Sequence, residues 1–177
     1  LFGCQRMARA VLPGMRRAKS GYIINMASQA GRVIYPGLGA YSASKFAVES
    51  WAEQLAYEVA LQGIQVSIVE PGGYPTRIME NSNAVSAALK AREPAERTAA
   101  YPGLAAQMGI STSSSVASDP MDMPRAISEL IATTPDDRPL RTMVASTPSP
   151  QAPINTITAD VQGKMLGSGP FAAAAKA

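Results

Sequence analysis

A chain of 177 residues, 46% hydrophobic and 16% charged, is long enough for one buried core and too short for two ordinary domains. It contains no run of roughly 18 apolar residues and no secretory signal pattern, so we expect no membrane span and a cytoplasmic location. One cysteine excludes an internal disulfide, and the lack of histidine removes the commonest metal ligand and general base.

The net charge of +3 is uneven, because residues 1–48 hold seven basic side chains and no acidic one. An arginine-rich start is typical of a transit peptide, but this one runs directly into a strand-like segment, which favours scattered, solvated arginines. A nucleic-acid surface would interleave aromatic residues with the basic ones, and this segment does not. We therefore expect no nucleic-acid partner.

The first elements alternate between helix and strand. Apolar spacing predicts a helix over Phe2–Arg17 that loosens near Pro13-Gly14. A short apolar run over 22–26 predicts a buried strand, and Ser28 falls just after its end. Four glycine or proline residues within 29–39 predict a loop.

The longest predicted helix runs from Tyr41 to about Leu61 and ends at Gly63. Residues 64–69 form a second apolar run, which predicts a strand. Two strands joined through a helix are typical of a parallel sheet, so the sequence predicts an α/β fold. Apolar residues lie near one face of the long helix, namely Phe46, Ala47, Trp51, Leu55 and Val59.

The second half is less regular. Residues 79–118 have weak periodicity and a serine-rich run at 111–115, which indicates a mobile excursion. Asp119 and Pro120 predict a helix start, with the helix reaching about Thr133, and residues 140–145 predict a last strand. Beyond Pro148 we predict a partly irregular tail, 149–177, with no repeat anywhere in the chain.

Tyr41 and Lys45 lie four positions apart on a helix, so their side chains share one face. A nearby ammonium favours an ionised phenol, which suits acid-base chemistry. Alone, this spacing is common, and a packed tyrosine beside a surface lysine explains it equally well. Ser28, thirteen residues earlier at a strand's carboxyl end, is placed where parallel sheets contact ligands.

Three segments together resemble the short-chain dehydrogenases/reductases: Asn25-Met26-Ala27-Ser28, Tyr41-Ser42-Ala43-Ser44-Lys45, and Val69-Glu70-Pro71-Gly72 with Thr76. The resemblance implies the carboxyl-terminal part of a Rossmann-like, doubly wound parallel sheet, with residues 1–148 as its catalytic part. It also implies hydride transfer between an NAD or NADP cofactor and a small alcohol, ketone or aldehyde.

The same resemblance implies a role for each matching residue. Tyr41 would be the proton donor or acceptor, Ser28 would polarise the substrate oxygen, and Lys45 would bind the nicotinamide ribose. The cofactor contacts would come from Tyr41 and Lys45 and from the segment that contains Pro71, Gly72, Tyr74 and Thr76.

The sequence departs from the family at its start, because no glycine-rich phosphate loop precedes Leu1. We therefore expect the chain to be part of a longer enzyme and to be inactive alone, and NAD cannot be told from NADP. A Gly163-x-x-x-Gly167-x-Gly169 string has a similar spacing but follows no strand. The alternative is a truncated, non-catalytic relative that acts as an oligomerisation or binding module.

The resemblance also implies a substrate lid over 79–118 and a homodimer or homotetramer. The lid's apolar residues favour a lipophilic substrate, although simple packing of the lid explains them as well. The helices over 1–17 and 41–61 would form the oligomer contact, with Trp51, Leu55 and Val59 as an apolar stripe. The apolar lid residues are Met79, Leu89, Tyr101, Leu104, Met108 and Ile110.

Overall fold

Three parallel strands form a sheet in this computed structural model, which describes residues 1–107, 118–145 and 149–176. They are β1 (Gly21–Met26), β2 (Ile64–Pro71) and β3 (Arg141–Val144), with β2 in the centre. β1 pairs with β2 from Gly21↔Ile64 to Met26↔Val69, and β3 joins the other side of β2. The predicted parallel α/β sheet is confirmed.

Helices connect and follow the strands. In chain order they are α1 (Phe2–Ala18), α2 (Gly39–Val59), α3 (Arg77–Lys90), α4 (Ala95–Ala100), α5 (Pro102–Gln107), α6 (Asp122–Ala132), α7 (Ala152–Gly167) and α8 (Ala172–Lys176). Short 3-10 turns lie at Gln29–Gly31, Ala60–Gln62 and Pro135–Asp137.

The alternation of side chains along β2 builds a core on each face of the sheet. Ile64, Val66 and Ile68 pack with the buried faces of α1 and α2. Val69 packs on the opposite face with Leu130 of α6 and Val144 of β3. Helices therefore cover both faces, as in a doubly wound sheet.

Two segments contain more helix than the sequence indicated. Residues 79–107 contain most of α3 together with α4 and α5, and the tail contains α7 and α8. In α3, polar residues interrupt the apolar period, yet a Thr76 side-chain cap and good helix formers support the helix. The serine-rich run at 111–115 lies outside the described residues.

Smaller differences concern helix ends. α1 continues through Pro13 to Ala18 instead of loosening there. α6 begins at Asp122, two residues after the predicted first helical residue Pro120, because Asp119 accepts a hydrogen bond from the Met121 backbone within the preceding turn. In the part of the chain that the structure describes, no helix combines the length and apolarity needed to cross a membrane.

Candidate functional site

The carboxyl ends of the strands lie side by side at one edge of the sheet. The Ala27 backbone N–H donates to the Val69 carbonyl at 2.8 Å, and the Gly72 N–H donates to the Val144 carbonyl at 2.9 Å. The chain segments that follow β1 and β2 therefore emerge at the same edge. This edge carries the residues that the sequence singled out.

Ser28 begins the turn that follows β1. Its side chain is buried, and its Oγ accepts a hydrogen bond from the Ala30 backbone at 3.1 Å, which caps the 3-10 turn Gln29–Gly31. An accepting hydroxyl still has its own hydrogen to donate. The Ser28 side chain is thus held in one orientation by the backbone while its donor hydrogen remains available.

Tyr41 and Lys45 lie in the first turns of α2. The Lys45 ammonium nitrogen lies 5.7 Å from the centroid of the Tyr41 ring and donates to the Met26 carbonyl at 3.0 Å. Tyr41 is 45% exposed, so its ring is open to a ligand. The bond to Met26 places the ammonium at the end of β1, two residues before Ser28.

Gly31 brings the Ser28 turn against α2. A Cβ at residue 31 would lie 3.0 Å from the Lys45 carbonyl oxygen and 3.0 Å from the Glu49 Cγ. A side chain would therefore push the turn away from α2. The absence of a side chain lets the backbone after Ser28 rest directly on the backbone of Lys45.

The segment from Pro71 to Thr76 closes the same edge beside β3. A Cβ on Gly72 would lie 2.8 Å from the Ala145 Cβ and 3.5 Å from the Gln29 Oε1, so this segment runs close to the Ser28 turn. The Tyr74 hydroxyl donates to the Val144 carbonyl at 3.0 Å. Thr76 caps α3 by accepting from the Ile78 N–H at 3.4 Å. These contacts place the seven predicted site residues on segments that meet at this edge, namely Ser28, Tyr41, Lys45, Pro71, Gly72, Tyr74 and Thr76.

Sequence reasoning missed a buried charge cluster below this edge. Arg141 of β3 lies 3.0 Å from Glu49, 2.5 Å from Glu53 and 3.5 Å from Glu70. Glu49 and Glu70 are buried and Glu53 is partly buried, although charged side chains are rarely found in a protein interior unless they are paired. The signals that could have revealed the cluster are Glu70 at the end of an apolar strand and Arg141 within another.

The carboxylates of this cluster titrate differently. Burial raises the pKa of Glu49 from 4.5 to about 7; the charge of Glu70 adds to the rise, and Arg141 opposes it. Burial also raises the pKa of Glu70, against the effects of Asn155 and Arg141. For Glu53, hydrogen bonds from Arg141 and Tyr57 outweigh burial and hold its pKa below the usual value.

The region that contains Ser28, Tyr41 and Lys45 is similar to regions of known proteins. The family model for short chain dehydrogenase matches residues 1–87. The chain is 49% identical over 82 residues to 3-ketodihydrosphingosine reductase of Bacteroides thetaiotaomicron. That match covers 46% of this chain and 30% of the relative, so the chain spans about a third of that protein's length.

Solved structures extend the likeness over nearly all of the chain. A short-chain dehydrogenase from Streptomyces avermitilis is 30% identical with a TM-score of 0.64, and the match covers 92% of this chain and 56% of that one. A short chain dehydrogenase/reductase from Burkholderia phymatum in complex with NAD is 25% identical with a TM-score of 0.56, covering 92% and 55%. The three-stranded sheet corresponds to part of a Rossmann-like fold. Residues 1–87 belong to the short-chain dehydrogenase/reductase family, and the likeness to a solved member of that family extends over 92% of the chain.

Proposed function

We propose that this protein is an NAD- or NADP-dependent oxidoreductase that interconverts an alcohol and a ketone or aldehyde, with Tyr41 as general acid and base. The observation that carries the proposal is the position of Lys45. Its ammonium donates to the carbonyl of Met26, the last residue of β1, and lies 5.7 Å from the Tyr41 ring centroid. Met26 pairs with Val69 of β2, two residues before Pro71. This is the edge at which open parallel sheets bind ligands.

The donor groups at this edge fit the nicotinamide ribose of the cofactor. An ammonium has three N–H groups, and Lys45 uses one of them on Met26, which leaves two for the ribose hydroxyls. Thr76 still has its hydroxyl hydrogen to donate to the cofactor amide or a phosphate. Pro71, Gly72 and Tyr74 supply backbone beside the nicotinamide.

The catalytic roles follow from the chemistry of three side chains. When bound, the nicotinamide group supplies the hydride for reduction of the carbonyl carbon. Ser28 donates a hydrogen bond to the carbonyl oxygen, and Tyr41 gives that oxygen its hydroxyl proton. The positive charge of Lys45 stabilises the resulting phenolate through space. In the oxidation direction, Tyr41 takes the proton from the alcohol.

The substrate class is a lipophilic ketone or alcohol held under a lid formed by α3, α4 and α5. α5 is tied to α3 because the Lys90 ammonium donates to the Ala105 carbonyl at 2.5 Å. A Cβ on Gly37 would lie 3.2 Å from the Leu104 Cδ1, so α5 reaches the loop before Tyr41. Leu89, Tyr101 and Leu104 are exposed there, while Met108 and Ile110 lie outside the described residues. The Bacteroides relative is named as the reductase of a keto compound, and this name supports a ketone as the substrate.

A homodimer or homotetramer remains our proposal for the assembly, but the stripe predicted for it needs correction. Leu55 and Val59 are buried in the core that α2 shares with the sheet, and Trp51 is partly buried against it. Leu55 and Val59 are therefore not available to a second subunit, and Trp51 is available only in part. Exposed apolar residues of α1 (Phe2, Met7 and Val11) are the better candidates.

A cofactor-oxidation assay on the product of the whole gene tests the proposal. NADH or NADPH is mixed with lipophilic and polar ketones, and the loss of reduced-cofactor absorbance is followed. We expect one cofactor to be oxidised with equal consumption of a lipophilic ketone. No turnover with either cofactor across the panel, from folded protein, would contradict the proposal. We separately expect the 177-residue chain by itself to bind the cofactor weakly. Submicromolar binding by this chain would contradict that second expectation.

A further inference from the structure

Asn155 of helix α7 contacts both chain segments that carry the site residues, although α7 lies far along the chain from them. The Asn155 Nδ2 donates to Glu70 Oε2 at 2.7 Å, and its Oδ1 accepts from the Arg32 Nε at 2.8 Å. Arg32 also donates to Thr158 Oγ1, one turn later on α7, at 2.5 Å. A single side-chain amide therefore bridges two segments that belong to different parts of the sheet edge.

The two bridged residues each adjoin a proposed site element. Arg32 directly follows Gly31, which ends the turn that Ser28 caps. Glu70 directly precedes Pro71 and Gly72, the proposed nicotinamide contacts. Any change in the separation of Arg32 and Glu70 would therefore move the Ser28 turn relative to the Pro71–Gly72 backbone.

The bridge matters because Glu70 has no access to water. Its side chain is 0% exposed, and its Oε1 has Arg141 at 3.5 Å without a hydrogen bond. Loss of the bond from Asn155 would remove a 2.7 Å hydrogen bond from a fully buried carboxylate and leave Gln151 as its neighbouring amide, which costs more than loss of an exposed hydrogen bond. Glu70 would then have to shift toward another donor or toward solvent.

We propose that Asn155 is a positioning residue that fixes the Ser28 turn and the Pro71–Gly72 backbone at one separation. The proposal rests on the proposed function for its catalytic meaning, and on the two hydrogen bonds for its geometry. An amide suits the position because it donates to one neighbour and accepts from the other. A carboxylate could accept from Arg32 but would repel Glu70.

Hydrogen exchange on the 177-residue chain tests the bridge without any need for turnover. The reporters are the Gly31 N–H, bonded to Ser28, and the Gly72 N–H, bonded to Val144. Asn155→Asp should speed exchange at both roughly tenfold to a hundredfold. Adding Glu70→Gln should restore slow exchange, because a glutamine amide can donate to the new carboxylate. Asp160→Asn, on the same helix and paired with exposed Lys164, is the control and should change neither reporter.

The outcomes distinguish the loss of the Asn155 hydrogen bonds from a general loss of stability of the fold. If α7 merely adds stability, the second substitution will add to the damage of the first, and that result would overturn the proposal. So would unchanged exchange at either reporter in Asn155→Asp. If Asn155→Asp does not fold, Asn155→Ala removes both bonds without repulsion, and fast exchange at both reporters is again required. Failure of the proposed function would appear elsewhere, as full turnover in a Tyr41→Phe variant.

Discussion

The backbone of Gly31 rests on the carbonyl of Lys45, so closely that a methyl group at residue 31 would lie 3.0 Å from that oxygen. This contact connects the turn capped by Ser28 to the helix that carries Tyr41. The relative position of the proposed catalytic residues therefore depends on a residue with no side chain. It is set by backbone packing, which a substitution can disturb without touching any functional group.

Gly31→Ala is expected to lower the free energy of unfolding by about 1–3 kcal/mol, because the added methyl forces two backbone segments apart. Gly163→Ala, in α7, is the control. A Cβ there meets nothing within 4 Å, and alanine is the better helix former, so this variant should gain up to about 1 kcal/mol. Urea unfolding measures both. Equal stability of the two variants would contradict the close contact at Gly31.

Glu49 should make the stability of the protein fall as the pH rises. The folded state holds the Glu49 proton up to about pH 7, whereas the side chain ordinarily releases it near 4.5. The free energy of unfolding should therefore decrease between these values, by on the order of 1–3 kcal/mol, and level off above them. Because the chain contains no histidine, no imidazole obscures this window.

Unfolding of Glu49→Gln at pH 5.5 and pH 8 checks this assignment. The neutral amide cannot ionise, so the difference between the two pH values should shrink. Glu58→Gln, an exposed change on the same helix, should leave the difference as it is in the unmodified protein. An unchanged pH dependence in Glu49→Gln would assign it to another group, such as Glu70, whose pKa burial also raises.

Lys45→Met should weaken cofactor binding and lower turnover by roughly a hundredfold or more, since it removes the charge while keeping the apolar stem. Lys164→Met removes an exposed lysine that pairs with Asp160 and should change neither quantity. Fluorescence titration with reduced cofactor and steady-state kinetics, both on the product of the whole gene, give the two readings. Unchanged affinity and turnover in Lys45→Met would remove Lys45 from the site.

The elements that surround the site could be predicted because each has a strong local signal. β1 and β2 are short apolar runs between turns, and α2 combines a long apolar face with a glycine end. The predicted strand 64–69 stopped two residues early because Glu70 and Pro71 look like strand breakers. Glu70 continues the strand because Asn155 donates a hydrogen bond to its buried carboxylate and Arg141 lies 3.5 Å from it.

The pairing of residues within the buried cluster, and helix α7, could not be predicted, because both depend on contacts between residues far apart in the chain. Glu49 and Glu53 look like solvated positions on α2 until Arg141, far along the chain, is placed beside them. Thr156, Thr158 and Gly163 lower the helix propensity of α7. Contacts such as the Arg32 bonds to Asn155 and Thr158 stabilise that helix in the folded chain, and a single-sequence period does not record such contacts.

Turnover of a Tyr41→Phe variant of the whole gene product tests the central claim most directly, because this change removes one hydroxyl and keeps the ring. We expect turnover to fall by roughly a hundredfold to ten-thousandfold while cofactor binding stays close to normal. Tyr57→Phe, on the same helix with its hydroxyl on Glu53, should keep its turnover. Full turnover in Tyr41→Phe would contradict the assignment of Tyr41 as the proton donor and acceptor.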